Sequence, residues 1–209
     1  MSGTETSTTQ VPERVRKGER TRTRILEAAA DVLAREGYAA ATLTEIARVA
    51  EMQAGSLYYH FDSKDAIVEE VLRVGIDHAQ EAICGAVAGQ GPNANGHDRL
   101  LAAVAAYTKM LVAESDFTRA NIRCYEESPR PTQENLAVPL REFANMWIEM
   151  MEAGQRDGSL RSDIEPRVVA RMTIAALNSC VQWFRADGEL SVDQVADMFA
   201  VSLVDGLSS

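Results

Sequence analysis

Apolar residues recur at spacings of three and four along nearly the whole chain, and that period restricts it to a helical architecture. The first run is Ile25, Leu26, Ala29, Val32 and Leu33, closed by Gly37 where a helix C-terminus favours glycine. It predicts a helix from about Arg20 to Glu36. Later runs predict helices over 42–50, 53–61, 63–87, 98–114, 116–127, 133–157, 165–187 and 191–206, about nine in all. The breaks fall at GQGPNANGHD (89–98), SPRP (128–131), QRDGSLRSD (155–163) and ADGEL (186–190). Thr42 with Glu45, and Ser191 with Gln194, carry the spacing of capping boxes. No strand alternation and no repeat of fixed period is visible, so an all-α fold is expected.

One stretch asks for more than packing. TLTEIARVAEMQAGSLYYHF, residues 42–61, reads as a short helix, a tight break at Ala50–Gln53, and a second short helix of about two turns. Preceded by a longer helix, such a pair forms the three-helix unit whose last helix enters the DNA major groove. The leading end of that last helix, Gln53, Ala54, Gly55 and Ser56, is small enough to let backbone approach the bases. Gln and Ser can hydrogen-bond base edges. Tyr58, Tyr59, His60 and Lys64 follow, and their hydroxyl, imidazole and ammonium groups suit phosphate contacts that fix register. Leu57 and Phe61, four apart, should be core. Helix neighbours stand about 100° apart, so one of the two tyrosines should turn inward; Tyr59 is expected to pack more deeply than Tyr58.

Charge supports the same division. The whole chain carries −10, which by itself argues against nucleic acid, but the balance is uneven. Residues 1–66 hold nine Lys/Arg against ten Asp/Glu, whereas 67–209 hold twelve against twenty-one. Arg14, Arg16, Lys17, Arg20, Arg22 and Arg24 face only Glu13 and Glu19. We therefore expect a disordered basic arm (1–19), a near-neutral DNA-binding unit (20–66) and an acidic body (67–209). A basic run alone could equally be a solvated tail.

The run Thr42, Ile46, Ala47, Ala50, followed by GSLYYHFDSK at 55–64, resembles the TetR family of bacterial transcriptional regulators. The motif covers about residues 20–72; downstream, only helix count and length are similar. Two positions depart from the family pattern: the turn has Glu51, Met52 and Gln53 where Gly, Val and Ser or Thr are usual. Glu51 must then adopt a geometry that glycine takes easily, and Gln53 is a poor N-cap. The resemblance implies a three-helix DNA-binding unit on a larger ligand-binding and dimerisation domain, acting as a homodimeric repressor on palindromic double-stranded operator DNA. The DNA-contacting set it points to is Arg22, Thr42, Thr44, Gln53, Ala54, Gly55, Ser56, Tyr58, Tyr59, His60 and Lys64.

The acidic body should supply the rest. Apolar rows on the last two helices (Val168, Val169, Met172, Ala176, Cys180, Trp183; Val192, Val195, Phe199, Leu203) could serve a dimer contact or only the monomer's own core. Met110, Phe117, Tyr125, Phe143, Trp147, Met150, Met151 and Trp183, with the polar Asn121 and Asn178, have the composition of an apolar effector pocket with a few orienting hydrogen bonds. The stretch Val181–Arg185 is similar to family members that control lipid or sterol catabolism, which implies an acyl-CoA or sterol-derived effector. No catalytic constellation, metal-ligand spacing or cofactor loop stands out, and His78 and His97 fall at expected surface positions. The odd set Cys84, Cys124 and Cys180 reads as buried reduced thiols. No segment approaches the roughly 20 apolar residues of a membrane span, and a cytosolic protein is expected. A helical small-molecule-binding protein that has lost DNA binding is the rival reading.

Overall fold

In the computed structural model, which describes residues 13–208, the chain is helical throughout. The α-helices are α1 (Glu13–Glu36), α2 (Leu43–Val49), α3 (Ala54–Leu57), α4 (Lys64–Gly89), α5 (Gly96–Lys109), α6 (Asp116–Cys124), α7 (Arg130–Asp157), α8 (Pro166–Asn178), α9 (Cys180–Trp183) and α10 (Val192–Val204). Helix α9 is a single turn that continues α8 past a break, so the expected nine helices are recovered with the eighth divided. Among the described residues the only β pairing is one antiparallel bridge, Leu160 to Ser208. No described helix is long and apolar enough to cross a membrane.

The first three helices fold on α4. In α1, Ile25, Ala29, Ala30, Val32 and Leu33 are fully buried, and Gly37 ends the helix at φ 82°. Helix α1 reaches back to Glu13, so the stretch 13–19 expected as disordered arm is helical backbone. Residues 1–12 of that arm lie outside the described residues. Thr42 caps α2, its Oγ1 accepting from the Glu45 amide at 3.1 Å. The reciprocal half of the expected capping box is missing, because the Glu45 carboxylate pairs with Arg48 instead. Helix α4 begins at Ser63, whose Oγ accepts from the Ala66 amide, and buries Ile67, Val68, Val71, Leu72, Ile76, Ala79 and Ile83 along one face.

That stripe of α4 packs on α5, α6 and α7, while its first turns also meet α1. The α4–α6 crossing is close: Thr118 Oγ1 donates to the Gly75 carbonyl at 3.1 Å, and Asn121 Nδ2 donates to the Leu72 carbonyl at 2.9 Å. A Cβ on Gly75 would overlap the Phe117 carbonyl. Gly96 and Gly154 make a second close approach, between the start of α5 and the end of α7.

Several boundaries depart from the periodicity. SPRP is a helix start as well as a break: Pro129 is the N-cap of α7 and Pro131 sits in its first turn, where its missing N–H costs nothing. Gln133 Nε2 ties down the carbonyls of Tyr125, Glu126 and Ser128 behind it. The expected single helix over 165–187 breaks at Ser179, whose hydroxyl donates back to the Ala176 carbonyl, and ends at an extended Phe184. Helix α5 loosens at its end into a π-helical turn over Met110–Glu114.

Three residues sit differently from expectation. Cys84 is exposed, with Sγ 3.7 Å from the Met146 sulfur, whereas Cys124 and Cys180 are buried as expected. His78 is half-buried, edge-on to Phe117 and 3.4 Å from Ser115 Oγ, and His97 is half-buried beside Asp205. The expected surface histidines thus bridge elements.

Replacing Gly75 with alanine should test the α4–α6 approach. Overlap with backbone cannot be relieved by a rotamer change, so we expect a loss of about 1–3 kcal/mol in a denaturant melt. A melt like that of the wild type would show that the helices can separate freely.

Candidate DNA-reading surface and effector core

Helix α3 is one turn, not two. The chain from Tyr58 to His60 forms a turn closed by the His60 and Phe61 amides on the Leu57 carbonyl, both at 2.9 Å. Leu57 and Phe61 are buried, as their spacing predicted. The tyrosine expectation is reversed: Tyr59 is 89% exposed and Tyr58 is 59% exposed. The 100° spacing behind that expectation holds only inside a helix, and these residues lie beyond its last turn. Two large rings are thereby presented to solvent side by side.

The other predicted contact residues of α2, α3 and the start of α4 all reach solvent. Thr42, Thr44, Gln53 and Gly55 are exposed, and Ala54, Ser56, His60 and Lys64 are half-buried. A Cβ at Gly55 would meet nothing within 4 Å, so internal packing does not require glycine there. Gln53 makes no side-chain cap to α3, in line with its poor capping chemistry.

Two of the predicted DNA-contacting residues, Arg22 and Lys64, have partners within the chain. Arg22 reaches from α1 to pair with Glu70 of α4, its Nε 3.1 Å from Oε1, and its Nη1 donates to the His60 carbonyl at 2.7 Å. Its guanidinium also lies 4.1 Å from the centre of the Phe61 ring. This strut fixes the tyrosine-bearing turn between α1 and α4. Lys64 Nζ donates to the Tyr38 carbonyl at 2.6 Å and sits over the Tyr38 ring. Tyr38 in turn donates to Asp65 at 2.8 Å, and burial first, then the Asp65 carboxylate, push its hydroxyl up to about 12. Glu70 and Tyr38 escaped sequence reasoning because their partners are 48 and 27 residues away.

The turn between α2 and α3 carries the Glu51 departure. Glu51 has φ 53°, the only non-glycine positive φ among the described residues. Its amide donates to the Arg48 carbonyl at 3.2 Å and the next amide, of Met52, to Ala47 at 2.9 Å. This is a Schellman end, in which the left-handed residue favours glycine. Met52 packs against the core, filling the apolar site.

In the larger domain, Tyr107, Phe143 and Trp147 form an aromatic cluster with ring centres 5.4, 5.9 and 6.4 Å apart. Met151 is buried in the same core, and Met110 is buried at the end of α5. Phe117, Tyr125, Met150 and Asn178 are half-buried. The Tyr107 hydroxyl donates to Asn178 Oδ1 at 2.8 Å, and burial drives its acidity far down. Asn121 Nδ2 is engaged in holding α6 to α4. Trp183 is 48% exposed and stacks on Phe199, so the structure removes it from the core. Only tertiary structure could say so, because the break at Ser179 turns the α9 face outward. Tyr107 was missed, hidden in an alanine-rich helix.

The outer faces of α8 and α10 expose Val168, Met172, Met198 and Val201. Val168 and Met172 also line a groove of about 440 Å³, with Ile164, Thr173, Leu203, Leu207, Arg161 and Glu165 among its other lining residues. Val195 and Cys180, from the rows proposed for a dimer contact, are buried within the monomer.

A short helix pair held on a longer helix, with an aromatic, polar outer face and an all-helical body behind it, defines a helix-turn-helix regulator. The comparisons place it further. Residues 25–71 match the family "Bacterial regulatory proteins, tetR family", and residues 93–207 match "Tetracyclin repressor-like, C-terminal domain". The chain is 33% identical over 193 residues to the HTH-type transcriptional repressor KstR2 of Rhodococcus jostii, covering 90% of this chain and 91% of that one. The solved ketosteroid transcriptional regulator KstR2 of Mycobacterium tuberculosis superimposes with a TM-score of 0.75 at 26% identity, covering 96% and 97% of the two chains. AibR, solved in complex with isovaleryl coenzyme A and operator DNA, shares the fold with a TM-score of 0.79 at 23% identity, over 88% of this chain and 98% of that one. This chain belongs to the TetR family of bacterial transcriptional regulators.

The Glu51 geometry yields a test. Changing Glu51 to glycine should relieve the left-handed strain and stabilise the protein by about 0.5–1 kcal/mol, read as a higher midpoint in urea. A lower midpoint would mean that the carboxylate contributes more than its backbone costs.

Proposed function

We propose that this protein is a repressor that binds palindromic operator DNA as a homodimer and is released by a small, largely apolar effector. The observation that carries the reading is the pair of exposed tyrosines at the end of a buried-anchored α3. Rings that exposed cost hydration free energy unless a partner covers them, and their hydroxyls match phosphate oxygens. Gln53 and Ser56 stand one turn earlier, where base edges would lie, and the open space at Gly55 allows backbone to approach. In this reading Thr42, Thr44, Ala54, Tyr58, Tyr59 and His60 complete the contact surface. Arg22 and Lys64 act by holding it in place. We take 20–66 as the DNA-binding unit and 67–209 as the effector and dimerisation domain.

One turn of helix makes too few contacts for tight specific binding, so a two-fold pair of chains is the natural remedy. The exposed row of Val168, Met172, Met198 and Val201 on α8 and α10 is the surface we assign to that pairing. The effector site is the core lined by Met110, Phe143, Trp147 and Met151, with Phe117, Tyr125, Met150 and Asn178 at its margins. An acyl thioester or sterol-derived ligand suits such a lining. The relatives support this choice, since KstR2 is named for ketosteroids and AibR was solved with isovaleryl coenzyme A. Ligand that favours one dimer arrangement would move α4, and with it the strut from Arg22 to Glu70, changing the spacing of the two α3 turns.

A gel shift with the gene's own upstream DNA tests the reading. Tyr59→Ala should weaken binding about tenfold, and affinity should fall steeply as salt rises. Wild-type protein that ignores this DNA at low salt would favour the rival, a helical ligand-binding protein without DNA function. For the dimer, Met172→Asp should give a monomer in analytical ultracentrifugation and cost operator affinity about a hundredfold, with helical circular dichroism retained. A dimer that survives this change would place the interface elsewhere.

A further inference from the structure

Among the described residues, one buried side-chain nitrogen or oxygen has no hydrogen-bond partner: Nε1 of Trp147. Its residue is fully buried in the middle of α7. Buried polar groups are satisfied in the large majority of cases, and an orphaned N–H carries the full cost of its lost water. An indole N–H can only donate. The other polar side-chain group of the aromatic cluster, the Tyr107 hydroxyl, is directed to Asn178 and does not accept from the indole. A trapped water is a poor remedy, since it wants about two to four polar partners and the cluster is made of rings. Three residues beyond Tyr107, α5 gives way to the π-helical turn that starts at the buried Met110. Such turns hold an extra residue in the ladder and recur at functional sites. The orphan donor on α7 packs against Tyr107 of α5, one turn before that helix loosens.

We propose that the effector carries a carbonyl oxygen which accepts a hydrogen bond from Trp147 Nε1, so that Trp147 selects carbonyl-bearing apolar ligands over their reduced counterparts. This rests on the reading of the Tyr107–Phe143–Trp147 core as the effector site. A carbonyl satisfies the indole and brings no donor of its own. An alcohol in the same place would bring an O–H needing a further acceptor, and a hydrocarbon would leave the indole orphaned. Rejection of the reduced ligand follows from leaving a buried group unpaired, the strongest form of polar discrimination available to a small site.

The test uses two matched pairs of probes on the full chain. Isovaleryl coenzyme A is set against its thioether analogue, isopentyl coenzyme A, which lacks the thioester carbonyl. Androstenedione is set against androstenediol. The chain has two tryptophans, hence two indole N–H signals in a proton–nitrogen NMR spectrum. W147F removes one and so identifies it; should W147F not fold, W183F identifies the other. We expect at least one carbonyl probe to move the Trp147 signal downfield and to bind about three- to tenfold more tightly than its reduced partner. In W147F that preference should vanish. The proposal is overturned if no carbonyl probe binds, if the Trp147 signal stays in place when one does, or if the preference survives in W147F. A gel shift on the same protein without probe reads DNA binding separately. Failure there removes the repressor and leaves the ligand chemistry standing, and the reverse result removes only Trp147.

Discussion

The buried stripe of α4 is the constraint on which the rest depends. Ile67, Val68, Val71 and Leu72 close the underside of the DNA-reading unit, and Ile76, Ala79 and Ile83 continue the same face into the larger domain. A rod with one continuous apolar face cannot serve two modules independently; moving either end moves the other. Its position is fixed by contacts that leave little slack. Gly75 meets the Phe117 backbone, Asn121 holds the Leu72 carbonyl, and Arg22 pairs with Glu70. Packed interfaces of this kind switch between discrete arrangements in preference to bending.

The same helix explains how so short a reading element can be presented at all. Helix α3 is four residues long and would not hold itself together in water. Leu57 and Phe61 anchor it from below, and the Arg22 guanidinium takes the His60 carbonyl while covering the Phe61 ring. Each of these polar contacts is only part-buried, so each contributes modestly; it is their convergence on one turn that fixes it. The freed surface is spent on Tyr58 and Tyr59. Burial at Leu57 and Phe61 and exposure at Tyr58 and Tyr59 are thus combined in a single stretch.

Much of this was legible before any tertiary contact was known. The helical period gave the all-α class, and Gly37, Ser63 and Ser191 marked helix ends where the structure has them. The motif at 42–64 pointed to the family. Leu57 and Phe61 were recognisable as core because their spacing matches a helix face, and Glu51 as the strained residue because the family it resembles usually has glycine there; the structure shows a left-handed Schellman turn at that place. The misplaced residues share a cause. Tyr59 and Trp183 were read by extending helices past a local break, and the partner of Lys64 is distant in sequence. A hydroxyl donating backwards at Ser179, or a tyrosine carbonyl 26 residues away, leaves no periodic trace.

By itself the sequence determined the helical class, most helix positions, several of their caps, the apolar faces and the reading motif, because these follow from spacings of a few residues and from the chemistry of single side chains. Only the tertiary structure decided which polar groups are spoken for. Arg22, Lys64 and Asn121 turned out to be braces, and Tyr107 found Asn178, while Trp147 was left with an unspent donor. The reason is geometric: satisfaction of a buried hydrogen bond depends on what another helix brings to within about 3 Å. The order of residues along one chain does not encode that distance locally.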